Sequence, residues 1–202
     1  MIILRSWLEH LFNCAFEDAY FNKIIFNPKL ISLLFDNDKT IPPHFHIHRP
    51  IIDAGNTTIK NIFEFALNHL KISGGLGVSF VDVDNSEQYI DMIFNILINE
   101  GNKLPKVYLA ICGLTRLYYL IVEHIITSKD CSKMVADINL DYVCVTTNFK
   151  LNERAKKVEI KTLKYNKDTK FQLGNIYNSK VKFEFYNQEG GDGAYIMINL
   201  MK

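Results

Sequence analysis

Three residues in the last third of the chain carry side chains suited to metal-assisted hydrolysis: Asp141, Glu159 and Lys161. Carboxylate oxygens are ligands that Mg²⁺ and Mn²⁺ prefer, and a metal ion held by Asp141 and Glu159 would lower the pKa of a bound water. An ammonium group beside the metal stabilises the negative charge that develops on a phosphodiester under attack. These residue types therefore predict phosphodiester hydrolysis with Mg²⁺ or Mn²⁺ as the cofactor.

The two carboxylates meet only if their strands pair in one particular register. Glu159 lies in the β-like run KKVEIKTLKY, where side chains two residues apart point to the same face of a strand. If a strand over 139–147 turns through 148–153 and returns, Asp141 lies opposite Glu159. A turn centred two or three residues later places Asp141 opposite Leu163 or its neighbour, and the carboxylates then diverge. The alternative is an ordinary hairpin whose charged side chains lie in water.

Asp141, followed by the run Glu159-Ile160-Lys161, resembles the pattern of the PD-(D/E)XK nuclease superfamily. The resemblance implies a metal-dependent nuclease acting on DNA or RNA, with Asp141 and Glu159 as metal ligands and Lys161 as the catalytic cation. Leu140 stands where the family has a proline before the first acid, so this chain departs from the pattern at that position.

Two residues further along the chain extend the same resemblance. Gln172 and Tyr177, in FQLGNIY, are similar to the glutamine–tyrosine motif of the RecB-like branch, although the gap between them is one residue longer. The similarity implies a catalytic role for both residues. In total it covers residues 139–177.

Positive charge is concentrated around this motif. The net charge of the whole chain is +1, which by itself predicts no polyanionic partner, but residues 150–170 contain eight Lys or Arg and three Asp or Glu. Lys156, Lys157 and Lys164 are predicted to hold the phosphate backbone of a nucleic acid. The alternative is a solvated strand face flanked by charged turns.

Three histidines form a second candidate site. The prolines of PPHFHIHRP, residues 42–50, disfavour a helix, and in an extended segment His44, His46 and His48 point the same way. Imidazoles on one face are suited to Zn²⁺, although same-face neighbours on a strand lie about 6–7 Å apart, so three successive ligands require a bend. Two of the three with a distant ligand, or a half-exposed edge segment without metal, are the alternatives.

Hydrophobic periodicity predicts an α+β fold in a single domain, residues 1–202. Apolar residues spaced three and four apart predict about five helices in 1–136, the last and longest opening at Pro105. Alternating and β-rich runs separated by turn segments predict a mostly antiparallel sheet of four or five strands in 137–202. The helical layer is expected to cover one face of this sheet, and no internal repeat is apparent.

Composition limits the class of protein. The four cysteines show no CxxC spacing, which indicates reduced thiols and a cytoplasmic protein. The apolar run 107–126 is interrupted by Arg116, Glu123 and His124, which disfavours a membrane span. Ten Tyr and 14 Phe residues could serve a protein interface as well as a core. The alternative to a nuclease is therefore a non-enzymatic protein that binds a protein partner, such as an inhibitor, an immunity protein or a viral or phage accessory protein.

Overall fold

The structure is a computed structural model that describes most of the chain. The described residues are 2–22, 27–35, 43–55, 59–81, 83, 86–112, 115–143, 149–191 and 193–201. The chain divides into two compact units, unit 1 over Met1–Val83 and unit 2 over Asp84–Lys202. Within the described ranges, no helix is both long enough and apolar enough to cross a membrane.

Unit 1 alternates helices with parallel strands. Its elements are α1 (Ile2–Phe12), β1 (Ala15–Asn22), α2 (Pro28–Phe35), β2 (Phe45–Asp53), α3 (Ile59–His69), β3 (Leu70–Ile72) and β4 (Leu76–Ser79). Strand β2 pairs in parallel with β1, β3 and β4. Parallel neighbours need long crossover connections, and the helices provide them.

Aromatic rings join the helices of unit 1 to its sheet. The ring of Phe12 on α1 lies 5.2 Å from that of Phe35 on α2 and 4.8 Å from that of Phe45 on β2, measured between centroids. Phe65 on α3 lies 6.0 Å from Phe45. All four rings are buried, and such tilted or edge-to-face contacts add stability beyond the burial of apolar area. The core of unit 1 therefore lies between the three helices and β2.

Unit 2 combines a short parallel part with an antiparallel meander. Its elements are a 3-10 helix (Ser86–Tyr89), α4 (Ile90–Asn99), β5 (Lys106–Ile111), α5 (Thr115–Thr127), β6 (Asp137–Val143), β7 (Lys156–Thr162), β8 (Lys167–Gly174), β9 (Lys182–Gly190) and β10 (Gly193–Leu200). The strand order is β5-β6-β10-β9-β8-β7. Strands β5 and β6 are parallel, and every later pairing is antiparallel.

Helix α5 covers one face of the unit 2 sheet. The ring of Tyr118 on α5 lies 4.7 Å from the ring of Phe149 and 6.3 Å from that of Phe185 on β9. Phe171 on β8 stacks on Phe185 at 4.8 Å. The buried residues of this inner face alternate along the strands: Val107, Leu109, Ile111, Ile138, Leu140, Tyr142, Phe171, Leu173, Phe183, Phe185, Ala194, Ile196 and Ile198.

Strands and helices recur at a regular interval along the chain. Strands β1, β2, β4, β5 and β6 begin at residues 15, 45, 76, 106 and 137, so successive starts lie 30 or 31 residues apart. A helix precedes each of them, and those that are neighbours within one unit are parallel. The repeat lies in the spacing and direction of the strands, which the sequence analysis did not predict.

The predicted sheet of four or five strands is wrong. The described residues form ten strands in a mixed parallel and antiparallel arrangement. Strands do occur in 137–202, where alternation predicted them, but β1, β2, β3 and β5 were missed. The run 106–111 is a strand that periodicity assigned to a helix, because a short apolar run fits either element.

Candidate functional site

The two predicted metal ligands lie on strands that are not neighbours. Asp141 is on β6 and Glu159 is on β7, and strands β10, β9 and β8 lie between them. Four interstrand steps of about 4.8 Å separate the two backbones by roughly 19 Å. The predicted hairpin between these strands is wrong because β10 and β5 occupy both edges of β6. The carboxylates of Asp141 and Glu159 therefore cannot share one metal ion in this arrangement.

Glu159 and Lys161 lie on an exposed strand. Every residue of β7 is exposed, and the strand pairs only with β8 in the described part of the chain. Glu159 lies opposite Lys170, and Lys161 lies opposite Asp168. Opposite charges in cross-strand positions stabilise a sheet modestly. The local geometry is thus that of charged pairs in water, and a catalytic role for Lys161 stays a prediction.

The structure does not bring the other predicted catalytic residues to Asp141. Gln172 is half-buried on β8, opposite Lys156 on β7. Tyr177 follows β8 in a turn, where its side chain is 60% exposed and its backbone N–H donates to Oδ1 of Asn175 at 2.8 Å. Their catalytic roles stay predictions.

The three histidines lie at the start of β2. His44 precedes the strand, and His46 and His48 are half-buried within it. The imidazole Nδ1 of His48 is 2.9 Å from Oγ of Ser73, while burial and the positive charge of Lys71 lower the pKa of His44. Over the described ranges, no group of three or more His, Cys, Asp or Glu is placed to hold a metal ion. Zn²⁺ binding by these histidines stays a prediction.

The predicted nucleic-acid contacts divide into two places. Lys156 and Lys157 line a groove of about 480 Å³ together with Gln172. Lys164 is not among its lining residues, and its Nζ lies 5.0 Å from the centre of the Tyr165 ring. Lys164 therefore lies outside the groove that Lys156 and Lys157 line.

The outer face of the unit 2 sheet carries polar and aromatic side chains in register. Cross-strand pairing places Tyr108 beside Asn139, Asn139 beside Met197, and Met197 beside Tyr186. The next row contains Asp141, Tyr195 and Gln188. We call this surface the open face, defined by Tyr108, Asn139, Asp141, Tyr186, Gln188, Tyr195 and Met197. All except Asn139 are exposed or half-buried.

A chain of polar contacts holds one side of the open face. The hydroxyl of Tyr195 donates to Oδ1 of Asn139 at 2.9 Å, and Nδ2 of Asn139 donates to Oδ1 of Asp137 at 2.9 Å. Asp137 also accepts Lys106 at 2.8 Å, and the Lys106 ammonium lies 4.8 Å from the centre of the Tyr108 ring. These contacts restrict the side chains to one arrangement before any ligand binds.

The other side of the open face is held in the same way. The side-chain amide of Gln188 donates to Asp168 at 3.2 Å and to the hydroxyl of Tyr186 at 3.3 Å. At the rim, Lys170 pairs with Glu184 at 3.3 Å. Burial is the main cause that raises the pKa of Tyr186, and its hydrogen bond to Asp168 raises it further.

Sequence reasoning missed the open face as a candidate site. Its signal was the alternation in KVYLAI, DINLDYV and AYIMINL, where Lys, Tyr, Asp and Asn recur at every second position with a few exceptions. Such residues look like ordinary solvent-facing positions until the strand order places them side by side.

The comparisons with known proteins concern mainly unit 1. The family model of a domain of unknown function, DUF8381, matches residues 1–81. No curated protein and no solved structure matches the chain. The open face and the groove lined by Lys156 and Lys157 both lie outside the matched residues.

Proposed function

We propose that this chain is a non-enzymatic protein that binds a protein partner through the open face of unit 2. The observation that carries the proposal is the centre of this face, where the exposed Tyr108 and the half-buried Tyr186, Tyr195 and Met197 lie on neighbouring strands. Tyrosine and methionine are enriched at the cores of protein interfaces, and charged residues are depleted there.

The arrangement of charge around the centre agrees with an interface. The lysines nearest the centre, Lys106 and Lys170, already pair with Asp137 and Glu184. They form a polar rim around an aromatic centre, which is the usual anatomy of a protein interface. The hydrogen bonds to Tyr195 and Tyr186 reduce the rotamer freedom that binding would otherwise remove.

A protein suits this face better than a nucleic acid does. Four acids, Asp137, Asp141, Asp168 and Glu184, share this face of β5, β6 and β8–β10 with three lysines, Lys106, Lys170 and Lys182. Acidic side chains repel phosphate groups. Asp141 is exposed and forms no ion pair with any residue that the structure describes. We therefore expect the partner to place a Lys or Arg side chain against Asp141, beside Tyr195.

Alanine substitution at the centre of the face tests the proposal. The tagged chain is used to capture partners from the organism that encodes it, and the captured protein is purified for titration calorimetry. Tyr108→Ala should weaken binding by about 2 kcal/mol, or roughly 30-fold in Kd, as a buried tyrosine anchor does. Asp141→Asn should weaken binding and reduce its dependence on salt.

Tyr165→Ala is the matched control, because Tyr165 is 76% exposed in the β7–β8 hairpin and lies off the open face. It should bind the partner within twofold of the unmodified chain. A partner that binds Tyr108→Ala and Asp141→Asn as tightly as the unmodified chain, or the absence of any captured partner, would refute the proposal.

Metal-dependent nuclease activity, the other function predicted from the sequence, stays a prediction. Incubation of the chain with plasmid, single-stranded DNA and RNA, in Mg²⁺, Mn²⁺ or EDTA, tests it directly. Cleavage that needs metal and disappears in both Asp141→Asn and Glu159→Gln would favour the nuclease over the binding protein.

A further inference from the structure

Four cations of unit 2 surround a groove that the open face does not include. Arg154 precedes β7, Lys156 and Lys157 begin it, and Lys182 begins β9. Together with Gln172 and residues 173–176 and 179, they line a volume of about 480 Å³. We call this feature the basic groove.

The charge of the basic groove is not compensated within the described part of the chain. No carboxylate is among its lining residues. None of Arg154, Lys156, Lys157 and Lys182 forms an ion pair within 4.0 Å with a described residue. Cations that repel one another across a shared concave surface create a positive potential that attracts an anion.

The backbone of Lys157 has a strained conformation, and this conformation directs its side chain into the groove. Its φ is 51°, and the pairing of β7 with β8 is irregular between Lys156 and Glu159. Successive residues of a regular strand point to opposite faces, yet Lys156 and Lys157 both line the groove. A bulge re-aims side chains in this manner, and strain of this kind is commonly found at functional sites.

The floor of the basic groove is apolar and held in place. Leu173 is buried, and Ile176 is 47% exposed. Between them, the side-chain amide of Asn175 donates to the carbonyl oxygens of Ile125 at 2.8 Å and Ser128 at 2.7 Å, which ties the floor to the end of α5. A ligand with an apolar part as well as anionic groups therefore finds both kinds of contact.

We propose that the basic groove binds a compact polyphosphate ligand of the nucleoside di- or triphosphate class. Its volume lies within the range of small-molecule sites, about 300–1,000 Å³. The cations would contact the phosphates, and the exposed side chain of Ile176 would contact the base or sugar. In such a site, the strained backbone of Lys157 would direct its ammonium group toward the phosphates, and the uncompensated positive charge would attract them.

A long nucleic acid fits the surroundings less well. Away from the groove, the lysines of β7 and β8 face carboxylates, with Lys161 opposite Asp168 and Lys170 opposite Glu159. Binding of a single strand needs a positive track that follows its backbone. The groove, by contrast, has four cations and no carboxylate among its lining residues, which favours a compact ligand.

Titration with ATP, ADP and tripolyphosphate tests the site. Calorimetry at low salt should show binding of ATP, with competition by tripolyphosphate and an increase in Tm on ATP addition. The double variant Lys156→Ala/Lys157→Ala should raise the Kd for ATP at least tenfold, and Lys157→Arg should restore most of the affinity lost in Lys157→Ala. Circular dichroism of each variant establishes that it is folded.

The control is Lys161→Ala/Lys164→Ala, which removes the same charge from residues that do not line the groove. It should bind ATP within twofold of the unmodified chain. The proposal is overturned if neither ATP nor tripolyphosphate binds, or if the two double variants lose affinity equally. It is also overturned if a 20-nucleotide strand binds at the groove lysines more tightly than ATP does.

Discussion

Replacing Lys157 with glycine should make the protein more stable and its basic groove weaker. Lys157 has a φ of 51°, and this left-handed conformation costs an L-residue roughly 1–2 kcal/mol. Glycine adopts it without that cost, but its greater freedom in the unfolded chain costs about 0.5–1 kcal/mol. The difference predicts that the free energy of unfolding rises by about 0.5–1 kcal/mol.

Lys157→Ala separates the effect on the backbone from the effect on charge. Alanine removes the ammonium group but keeps the left-handed strain, because it retains a Cβ atom. We expect the alanine variant to lose as much ATP affinity as the glycine variant. Its free energy of unfolding should stay within about 0.5 kcal/mol of the unmodified chain, as for most exposed substitutions.

Urea unfolding followed by circular dichroism compares the three proteins, with ATP calorimetry on the same samples. A shift in the midpoint without a change in slope reports stability alone. A glycine variant no more stable than the alanine variant would show that the backbone at this position is not strained. A glycine variant with unchanged ATP affinity would show that the ammonium group of Lys157 does not contact the ligand.

Two further predictions concern the core of unit 2. A Cβ atom at Gly193 would collide with the carbonyl oxygen of Tyr142 on the neighbouring strand, so Gly193→Ala should lower the free energy of unfolding by about 2 kcal/mol. Gly174→Ala should change it little, because nothing lies within 4 Å of the added atom. Urea unfolding measures both variants, and equal effects would contradict the stated contact. Burial lowers the pKa of His124 from its ordinary value of 6.5, so the unfolded state binds the proton more readily than the folded state does. The stability contributed by the neutral imidazole is therefore present above pH 6.5 and is lost as the pH falls through the lowered pKa. His124→Phe, which keeps a ring against Phe94, should reduce the loss of stability between pH 7.5 and 5.5, and an unchanged pH dependence would exclude His124 as its source.

Local pattern predicted many elements of this fold correctly. Helices α1, α2 and α3 follow from apolar residues spaced three and four apart, and the five strands after residue 136 follow from alternation between turn segments. Element type depends on which side chains lie within one or two turns or pleats, and the sequence contains that information directly. The strand 106–111 was missed because six residues are too few for periodicity to separate the two element types.

The predicted pairing between the strands of Asp141 and Glu159 is wrong. The alternation around Asp141 and Glu159 correctly indicates strands, but it does not show which strand lies beside which. Strand β6 pairs with β5, which begins 31 residues earlier, and with β10, which begins 56 residues later. Both partners are distant in sequence, and they leave no edge of β6 free for β7.

The sequence by itself therefore determined helices α1 to α3, the strand character of the segments after residue 136 and the position of the excess positive charge. Only the tertiary structure decided that Tyr108, Met197 and Tyr186 lie side by side, and that Lys156 and Lys157 line the same groove. The physical reason is that local conformation depends on neighbouring residues, whereas strand order and a bulge in the backbone depend on hydrogen bonds between segments far apart in the chain.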